Sequence, residues 1–343
     1  MTMGFHVPST ELTDSGFHPF FRRKVRVAST EPPIFEFDNF LSPVECSALI
    51  NAAQEGGLKP GFTQPHGLPT ARVQDGDGNG LLDVSEMRLT LENAFDIYLE
   101  PEEILQMYQE LGMDRNGDAL ISTNELPSPA VLSQYLKQLA EARPEIKGRH
   151  SDHAFIFPNR LTDPVLLKIV SRVAQTLQLP MALVNKSDIQ IVHYEKGGHY
   201  NVHLDSGELD PSLACCHRLA DSPKPCRPCR WATLLLYLND VAEGGETAFP
   251  IAGQDEEAAA ALRKDFRLNL HRHCTDAQLR IRPEAGKAVL WYNHVEAKTG
   301  SWLGAMDKRT HHGSCPVLSG QKWIANFWIK VTDNRAWDLT PTS

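Results

Sequence analysis

Apolar residues fall into two regimes along the chain. In the second half, the runs Ile189–Tyr194, Ala232–Leu238, Ala288–Tyr292 and Trp323–Val331 are short, rich in β-branched and aromatic residues, and bounded by turn formers. Several short strands at this spacing predict a sandwich or barrel. Earlier, Ile34, Phe35, Phe37 and Phe40 predict a strand entering a core. Ser42-Pro43-Val44-Glu45 predicts a capping-box helix start, with proline at the first helical position. That helix runs to about Glu55 and stops at Gly56-Gly57. A second helix is predicted from Pro164 to about Gln178, with Val165, Ile169, Val173 and Leu177 on one face. Between these, residues 60–75 look like a loop-like boundary, and 75–143 turn helical and acidic. Residues 1–30 predict a tail or edge segment. Residues 254–276, acidic and alanine-rich and then basic, predict no definite element.

At 343 residues the chain suits one large or two modest domains. Its 41% apolar and 22% charged residues allow a core of ordinary size. A net charge of −9 argues against nucleic acid as a partner, because phosphate binding needs a basic face. No run of about 18 apolar residues occurs, and the start MTMGFHVPST has the pattern of neither a signal nor an anchor. Membrane attachment is therefore expected only through a segment absent from these residues. Of seven cysteines, four lie between 215 and 229. The CC-x9-C-x2-C spacing lacks usual zinc geometry, so disulfides are the favoured expectation over a zinc knot.

Candidate chemistry begins with Tyr194-Glu-Lys-Gly-Gly-His-Tyr-Asn-Val-His203-Leu-Asp205. On a strand, residues two apart share a face, so His203 and Asp205 can reach one ion. Two histidines and one carboxylate with open positions suit non-haem iron(II). The third ligand must come from elsewhere, and His312 in Thr310-His311-His312-Gly313-Ser314-Cys315-Pro316 is a candidate, with His311 its rival. Residues 315–323 predict strand, turn, strand, a return that brings Lys322 back beside His312. A buried lysine there supplies a compact positive charge for the distal carboxylate of a bound 2-oxo acid.

Two twelve-residue segments match the calcium loop of an EF-hand. The first offers Asp75, Asp77, Asn79, the Leu81 carbonyl, Asp83 and Glu86, with Gly80 at the sharp turn. Its entering segment, around Gly67-Leu68-Pro69, permits only a short helix. The second offers Asp114, Asn116, Asp118, the Leu120 carbonyl, Ser122 and Glu125, but Ala119 replaces the turn glycine and predicts a weaker site. Pro127 falls where an exiting helix is young enough to tolerate it. Seven of the chain's acidic residues sit in these loops.

Taken together, residues 194–205, R-W-A-T-L-L-L-Y-L-N-D-V-A-E-G-G-E-T-A-F-P (230–250), K-A-V-L-W-Y-N (287–293) and H-G-S-C-P-V-L-S-G-Q-K-W-I-A-N-F-W-I (312–329) resemble the catalytic domain of the prolyl 4-hydroxylases. Within that family the likeness is to the transmembrane type, which also carries EF-hands ahead of its H-x-D. It covers roughly residues 32–58 and 148–332. The resemblance implies an α+β chain: a double-stranded β-helix, or jelly-roll, core with flanking helices and an inserted all-α EF-hand pair. The expected divisions are a tail at 1–31, the first part of the catalytic domain at 32–65, an EF-hand domain at 66–147, the dioxygenase domain at 148–335 and a tail at 336–343.

The resemblance further implies His203, Asp205 and His312 as iron ligands, His312 being preferred to His311 because the family's histidine stands three residues before the Cys of C-P-V. It implies Lys322 as the 2-oxoglutarate anchor and Tyr194 and Tyr237 near the co-substrate. Trp291, Trp323 and Trp328 are expected in the core. Iron(II), 2-oxoglutarate, dioxygen and ascorbate are the implied cofactors, with calcium from the loops. The implied activity is of the procollagen-proline or peptidyl-proline 4-dioxygenase type. It converts a prolyl residue of a protein or peptide to 4-hydroxyproline and releases succinate and carbon dioxide. The alternatives are an oxygenase for another residue or small molecule, and a calcium-binding interaction protein with an inactive barrel. The sequon Asn185-Lys186-Ser187, the cysteine cluster and the calcium loops suit the lumen of the endoplasmic reticulum.

Overall fold

The computed structural model describes residues 24–61, 75–219, 222, 224–255, 257–265, 267–297 and 300–340. The expectations for residues 1–23, for Gly67-Leu68-Pro69 and for the interior of the 60–75 boundary, residues 62–74, lie outside them. The chain begins with β1 (Val25–Thr30), β2 (Pro33–Phe37), α1 (Pro43–Gly56) and β3 (Lys59–Pro60). A helical lobe follows, with β4 (Leu81–Leu82), α2 (Val84–Phe95), α3 (Pro101–Leu111), β5 (Ile121–Ser122) and α4 (Pro129–Ala142). Next come β6 (Arg149–His150), β7 (Asp152–Ile156), α5 (Pro164–Leu177), α6 (Met181–Val184), β8 (Ile189–Tyr194) and β9 (His199–His203). Then follow β10 (Ala214–Cys216), β11 (Cys226–Tyr237), β12 (Glu243–Gly244), β13 (Thr247–Phe249), α7 (Glu257–Lys264), α8 (Leu270–His273) and β14 (Leu279–Ile281). The chain closes with β15 (Ala288–Tyr292), β16 (His312–Ser314), β17 (Val317–Ser319), β18 (Lys322–Val331) and α9 (Arg335–Leu339).

Two sheets dominate. The larger runs β1-β2-β15-β11-β18-β8-β7-β3, with β10 alongside β11; the smaller runs β14-β13-β16-β9-β6. All pairings are antiparallel except β10 with β11. Mixed helices and two facing antiparallel sheets are consistent with a jelly-roll core. Strands alternate their side chains between faces. One face of the larger sheet therefore packs Leu234, Leu236, Ala325, Phe327 and Ile329 against α1 and α5, and the other turns toward the smaller sheet. Helix α5 contributes Leu166, Ile169, Val170, Val173 and Leu177, each burial worth roughly 1.5–3 kcal/mol; Ile169, Val173 and Leu177 were anticipated, whereas Val165 is only half-buried and Leu166 and Val170 join the face instead.

Several expectations need correction. Strand β1 pairs with β2 and is part of the larger sheet, so the tail does not extend to residue 31. Nor do residues 336–343 begin as a free tail. Helix α9 is docked through Asp338, which accepts from Trp302 Nε1 at 2.9 Å and lies 3.0 Å from His217 Nε2. Residues 254–276, unplaced from sequence, form α7 and α8 and pack on β9 and β13. Arg272 there reaches Glu103 of α3 at 2.9 Å, joining the helical lobe to the small sheet. Pro127 is not inside an exiting helix. The chain turns at Thr123–Glu125, and α4 begins only at Pro129, capped by Ser128. The expected strand–turn–strand at 315–323 is also different: β17 pairs with β12, while β18 crosses to the other sheet and pairs with β8 and β11.

The cysteine cluster forms two disulfides, Cys215–Cys229 and Cys216–Cys226, and a third, Cys274–Cys315, ties the α8 region to β16. Cys46 is free and buried.

The two helices over the large sheet are joined by a buried bidentate pair. Arg172 of α5 donates to Glu45 at 2.7 and 2.6 Å and to the Phe40 carbonyl at 2.8 Å. Removing one partner strands a charge away from water. Arg172→Leu is therefore expected to lower the unfolding free energy by about 3 kcal/mol in urea titration; a loss below about 1 kcal/mol would place this pair among the weak surface bridges.

Candidate active site

Strand β9 follows β8 through Gly197-Gly198. Gly197 has a positive φ of 82°, and a Cβ on Gly198 would sit 2.8 Å from the Glu195 carbonyl and 3.0 Å from that of His150. Only glycines fit this tight reversal into the opposite sheet. Strand β9 then pairs with β16 so that His203 stands directly across from His312. Between His312 and Ser314, Gly313 lets the two backbones close up, since a Cβ there would lie 2.5 Å from the Tyr200 carbonyl. Strand β9 ends at His203, and Asp205 sits in the bend beyond it. The pair therefore converges through a turn, not through strand alternation as the spacing suggested.

The imidazole Nε2 of His203 is 3.7 Å from Asp205 Oδ1, and that of His312 is 3.6 Å from Asp205 Oδ2. The three ligand atoms lie within 4.8 Å of one another. His203 Nδ1 faces the Asn201 carbonyl and His312 Nδ1 the Thr310 carbonyl, both at 2.9 Å. A carbonyl only accepts, so each Nδ1 is the donor and each Nε2 is the nitrogen turned toward the carboxylate. Burial, together with the neighbouring His312, holds His203 well below the usual histidine range and keeps it neutral. Burial alone would raise Asp205, but His312, His203, Arg230 and the Thr233 hydroxyl outweigh it and the carboxyl is lowered. Two imidazoles and one carboxylate make a donor set that suits non-haem iron(II) with open positions. His311 is not part of it; its Nδ1 faces the Lys308 carbonyl.

Beside these groups is a cavity of about 200 Å³. Lys322, wholly buried, lies at one end of it between Tyr194 and Tyr237, 5.2 and 5.9 Å from their rings. It reaches across from the larger sheet to donate to Ser314 Oγ at 2.7 Å. Burial pushes Lys322 down to about 7, opposed only by the charge of Glu246. Tyr194 lines the cavity. Tyr237 does not: its hydroxyl donates to Thr247 Oγ1 at 2.7 Å behind the wall, so its expected place near the co-substrate holds only at second hand. Thr247 itself lines the cavity.

Strand alternation along β18 places Lys322, Ile324, Asn326 and Trp328 in succession along the cavity wall. Trp328 is thus a wall residue under Arg230, whose guanidinium lies 3.7 Å from its ring, and not simply core. Trp291 is fully buried but packs on His312 at 4.6 Å between ring centroids. Trp323 stays in the core and stacks on His193. Arg149, Arg230, Thr233 and Ser314 were missed from sequence. The arginine opening the Arg230–Tyr237 run was the one available signal. Arg149 Nη2 and Trp328 Nε1 are buried without a hydrogen-bond partner among the described residues.

The two acidic loops share one hydrogen-bond pattern. Asp75 accepts from the N–H groups of Gly78, Asn79 and Gly80, as Asp114 does from Gly117, Asp118 and Ala119. Glu86 accepts from Gly76 and Asp83 N–H groups, and Glu125 from those of Arg115 and Ser122. Asp77 and Asn79, like Asn116 and Asp118, complete the inner turns. Leu81 pairs with Ser122 and Leu82 with Ile121, so the loops lie side by side through β4 and β5. Asp83 caps α2. Ala119 adopts a positive φ of 62°, a strained conformation for a residue with a Cβ. Among the described residues, three carboxylates gather within 4.8 Å in the first loop, Asp75, Asp77 and Glu86.

Comparison with known proteins places these features. Residues 189–330 match the 2OG-Fe(II) oxygenase superfamily. The transmembrane prolyl 4-hydroxylases of Homo sapiens and Mus musculus are each 33% identical over 334 residues, covering 91% of this chain and 66% of theirs. Prolyl 4-hydroxylase 2 of Arabidopsis thaliana is 30% identical over 309 residues, 90% of this chain and 70% of that protein. The chain thus spans about two thirds of the length of the human and mouse relatives. A viral collagen prolyl hydroxylase from Paramecium Bursaria Chlorella virus-1, solved as its 2OG complex, is similar with a TM-score of 0.35 and 18% identity, over 87% of this chain and 96% of that one. By its sequence relatives, this chain belongs to the 2OG-Fe(II) oxygenase superfamily, within the prolyl 4-hydroxylases.

Proposed function

We propose that the chain hydroxylates C4 of prolyl residues in a protein or peptide, using iron(II), 2-oxoglutarate and dioxygen, with ascorbate keeping the iron reduced. The observation that carries this is the union, in one cavity, of the His203–Asp205–His312 donor set and a buried lysine that pairs with no carboxylate among the described residues. His203, Asp205 and His312 would hold the metal. When bound, it supplies the activation of dioxygen coupled to decarboxylation of the 2-oxo acid.

The chain's own residues do the rest. Lys322 and Ser314 receive the distal carboxylate, and Tyr194 walls that end of the cavity. Elsewhere the cavity wall carries donors: Arg149, Arg230 and the Trp328 indole. A prolyl residue has no N–H of its own, so a site that recognises it must read carbonyls, and donors are what that requires. Phe155, 44% exposed at the cavity wall, offers an apolar face for the ring. The paired acidic loops are proposed as an EF-hand pair that binds calcium, tighter in the first loop, within a lobe spanning about residues 66–147. Three disulfides suit an oxidising compartment such as the endoplasmic reticulum lumen.

Peptide-coupled succinate release measures the activity. It should require iron and vanish in His312→Ala, with the peptide gaining a hydroxyl at proline by mass spectrometry; release that persists in His312→Ala, or a hydroxyl on another residue, contradicts the assignment. Lys322→Ala should raise KM for 2-oxoglutarate by about 100-fold, the cost of leaving a bound charge unpaired, and an unchanged KM would remove Lys322 from the site.

Titration gives a further sign. In the free protein Lys322 is depressed to about 7, so it is mostly neutral at pH 8. A carboxylate partner restores its proton. Binding of 2-oxoglutarate at pH 8 should therefore take up close to one proton, falling toward zero below pH 6, as calorimetry in buffers of different ionisation enthalpy reads directly. No uptake at pH 8 would mean the lysine already carries its charge. For the calcium loops, Glu86→Gln should weaken the tighter of two calcium-binding events and Glu125→Gln the weaker, by titration calorimetry. If chelation changes neither melting temperature nor rate, the calcium assignment is lost.

A further inference from the structure

Behind the metal ligands runs a closed chain of buried side chains. Thr233 Oγ1 donates to Asp205 Oδ2 at 2.6 Å. Asn293 Nδ2 donates to Thr233 Oγ1 at 3.1 Å and to the Arg230 carbonyl at 3.2 Å. Trp291 Nε1 donates to Asn293 Oδ1 at 3.0 Å, and the Trp291 ring packs on His312. Thr233, Asn293 and Trp291 are each no more than 1% exposed. The order is set by strand register, since Thr233 of β11 stands opposite Trp291 of β15, with Asn293 just past the end of that strand.

The direction of every bond in this chain is fixed. An indole nitrogen only donates, so Trp291 forces the oxygen of Asn293 toward itself. The amide NH₂ must then face Thr233, where it fills a lone pair of the hydroxyl. The hydroxyl proton is left one carboxylate partner, Asp205 Oδ2. One oxygen of Asp205 is thereby engaged, and Oδ1, on the His203 side, receives no hydrogen bond from the described residues.

We propose that Thr233, Asn293 and Trp291 are positioning residues that restrict Asp205 to one-oxygen ligation of the metal and hold it in register with His312. This rests on the metal-site assignment made under Proposed function. Its consequence is that two histidines and one carboxylate oxygen occupy three positions of an octahedron. The other three stay open for a chelating co-substrate and dioxygen. A carboxylate released from Thr233 is free to chelate with both oxygens and close one of them.

The test uses the metal-free full chain titrated with cobalt(II), whose visible absorption reports affinity and coordination number without turnover. Wild type should bind one cobalt with a six-coordinate spectrum; if it binds none, the metal-site assignment itself fails. Thr233→Val, which keeps the shape and removes the hydroxyl, should weaken cobalt binding by roughly 10- to 100-fold, and its spectrum should shift on loss of the fixed carboxylate. Thr233→Ser should restore both. Trp291→Phe, which keeps a ring against His312 and removes only the N–H, should weaken binding by about threefold to tenfold. Wild-type affinity and spectrum in Thr233→Val, or failure of Thr233→Ser to restore them, overturns the proposal while leaving the metal site standing. If Thr233→Val does not fold, Trp291→Phe decides: wild-type cobalt affinity there overturns the proposal.

Discussion

The site depends on one constraint: β9 and β16 pair in the smaller sheet so that His203 and His312 are cross-strand neighbours. Residues directly opposite in a ladder have Cβ atoms about 5 Å apart, and their ring centroids here are 4.5 Å apart. A distance in sequence of more than a hundred residues is closed by the backbone ladder between β9 and β16. Gly313 removes the one side chain that would hold the strands apart, and Gly197-Gly198 turn the chain into position. Once the imidazoles are opposed, the bend after β9 brings Asp205 between them.

The larger sheet supplies what the smaller lacks. Its inner face carries Lys322, the cavity wall and the polar chain behind Asp205. Burying a lysine without a carboxylate is costly, as its depressed proton affinity shows. Such a cost is tolerated where a ligand restores the missing partner, and the same holds for the unpaired donors of Arg149 and Trp328. The cavity is short of negative charge in proportion to what a dicarboxylate and a row of peptide carbonyls would bring. The smaller sheet is in turn braced by α7 and α8, by Cys274–Cys315 next to Ser314, and through Arg272 by the helical lobe.

Much of this was legible in the sequence because it is local. Strand runs such as 189–194 and 288–292 were found to the residue, and the capping box at Ser42 announces its helix. The H-x-D, the histidine before Gly313 and Lys322 could be named because their order and spacing together match the family the sequence resembles. What could not be read is partnership. Nothing in residues 315–323 says that β17 pairs with β12 while β18 leaves for the other sheet. The alanine-rich α7 shows its role only when set against Val202 and Leu268. Thr233 and Asn293 look like ordinary strand-end polar residues until register places them behind Asp205. Tyr237 was expected near the co-substrate from the family resemblance; Thr247 lines the cavity and accepts from the Tyr237 hydroxyl.

The most direct test of the whole account is anaerobic spectroscopy of the iron(II)-loaded chain as 2-oxo acids are added. Chelation of the metal by a 2-oxo acid gives a visible charge-transfer band. The account predicts that 2-oxoglutarate produces this band at far lower concentration than 2-oxobutyrate, which chelates alike but has no distal carboxylate for Lys322. Absence of any band, or equal affinity for the two acids, would contradict it.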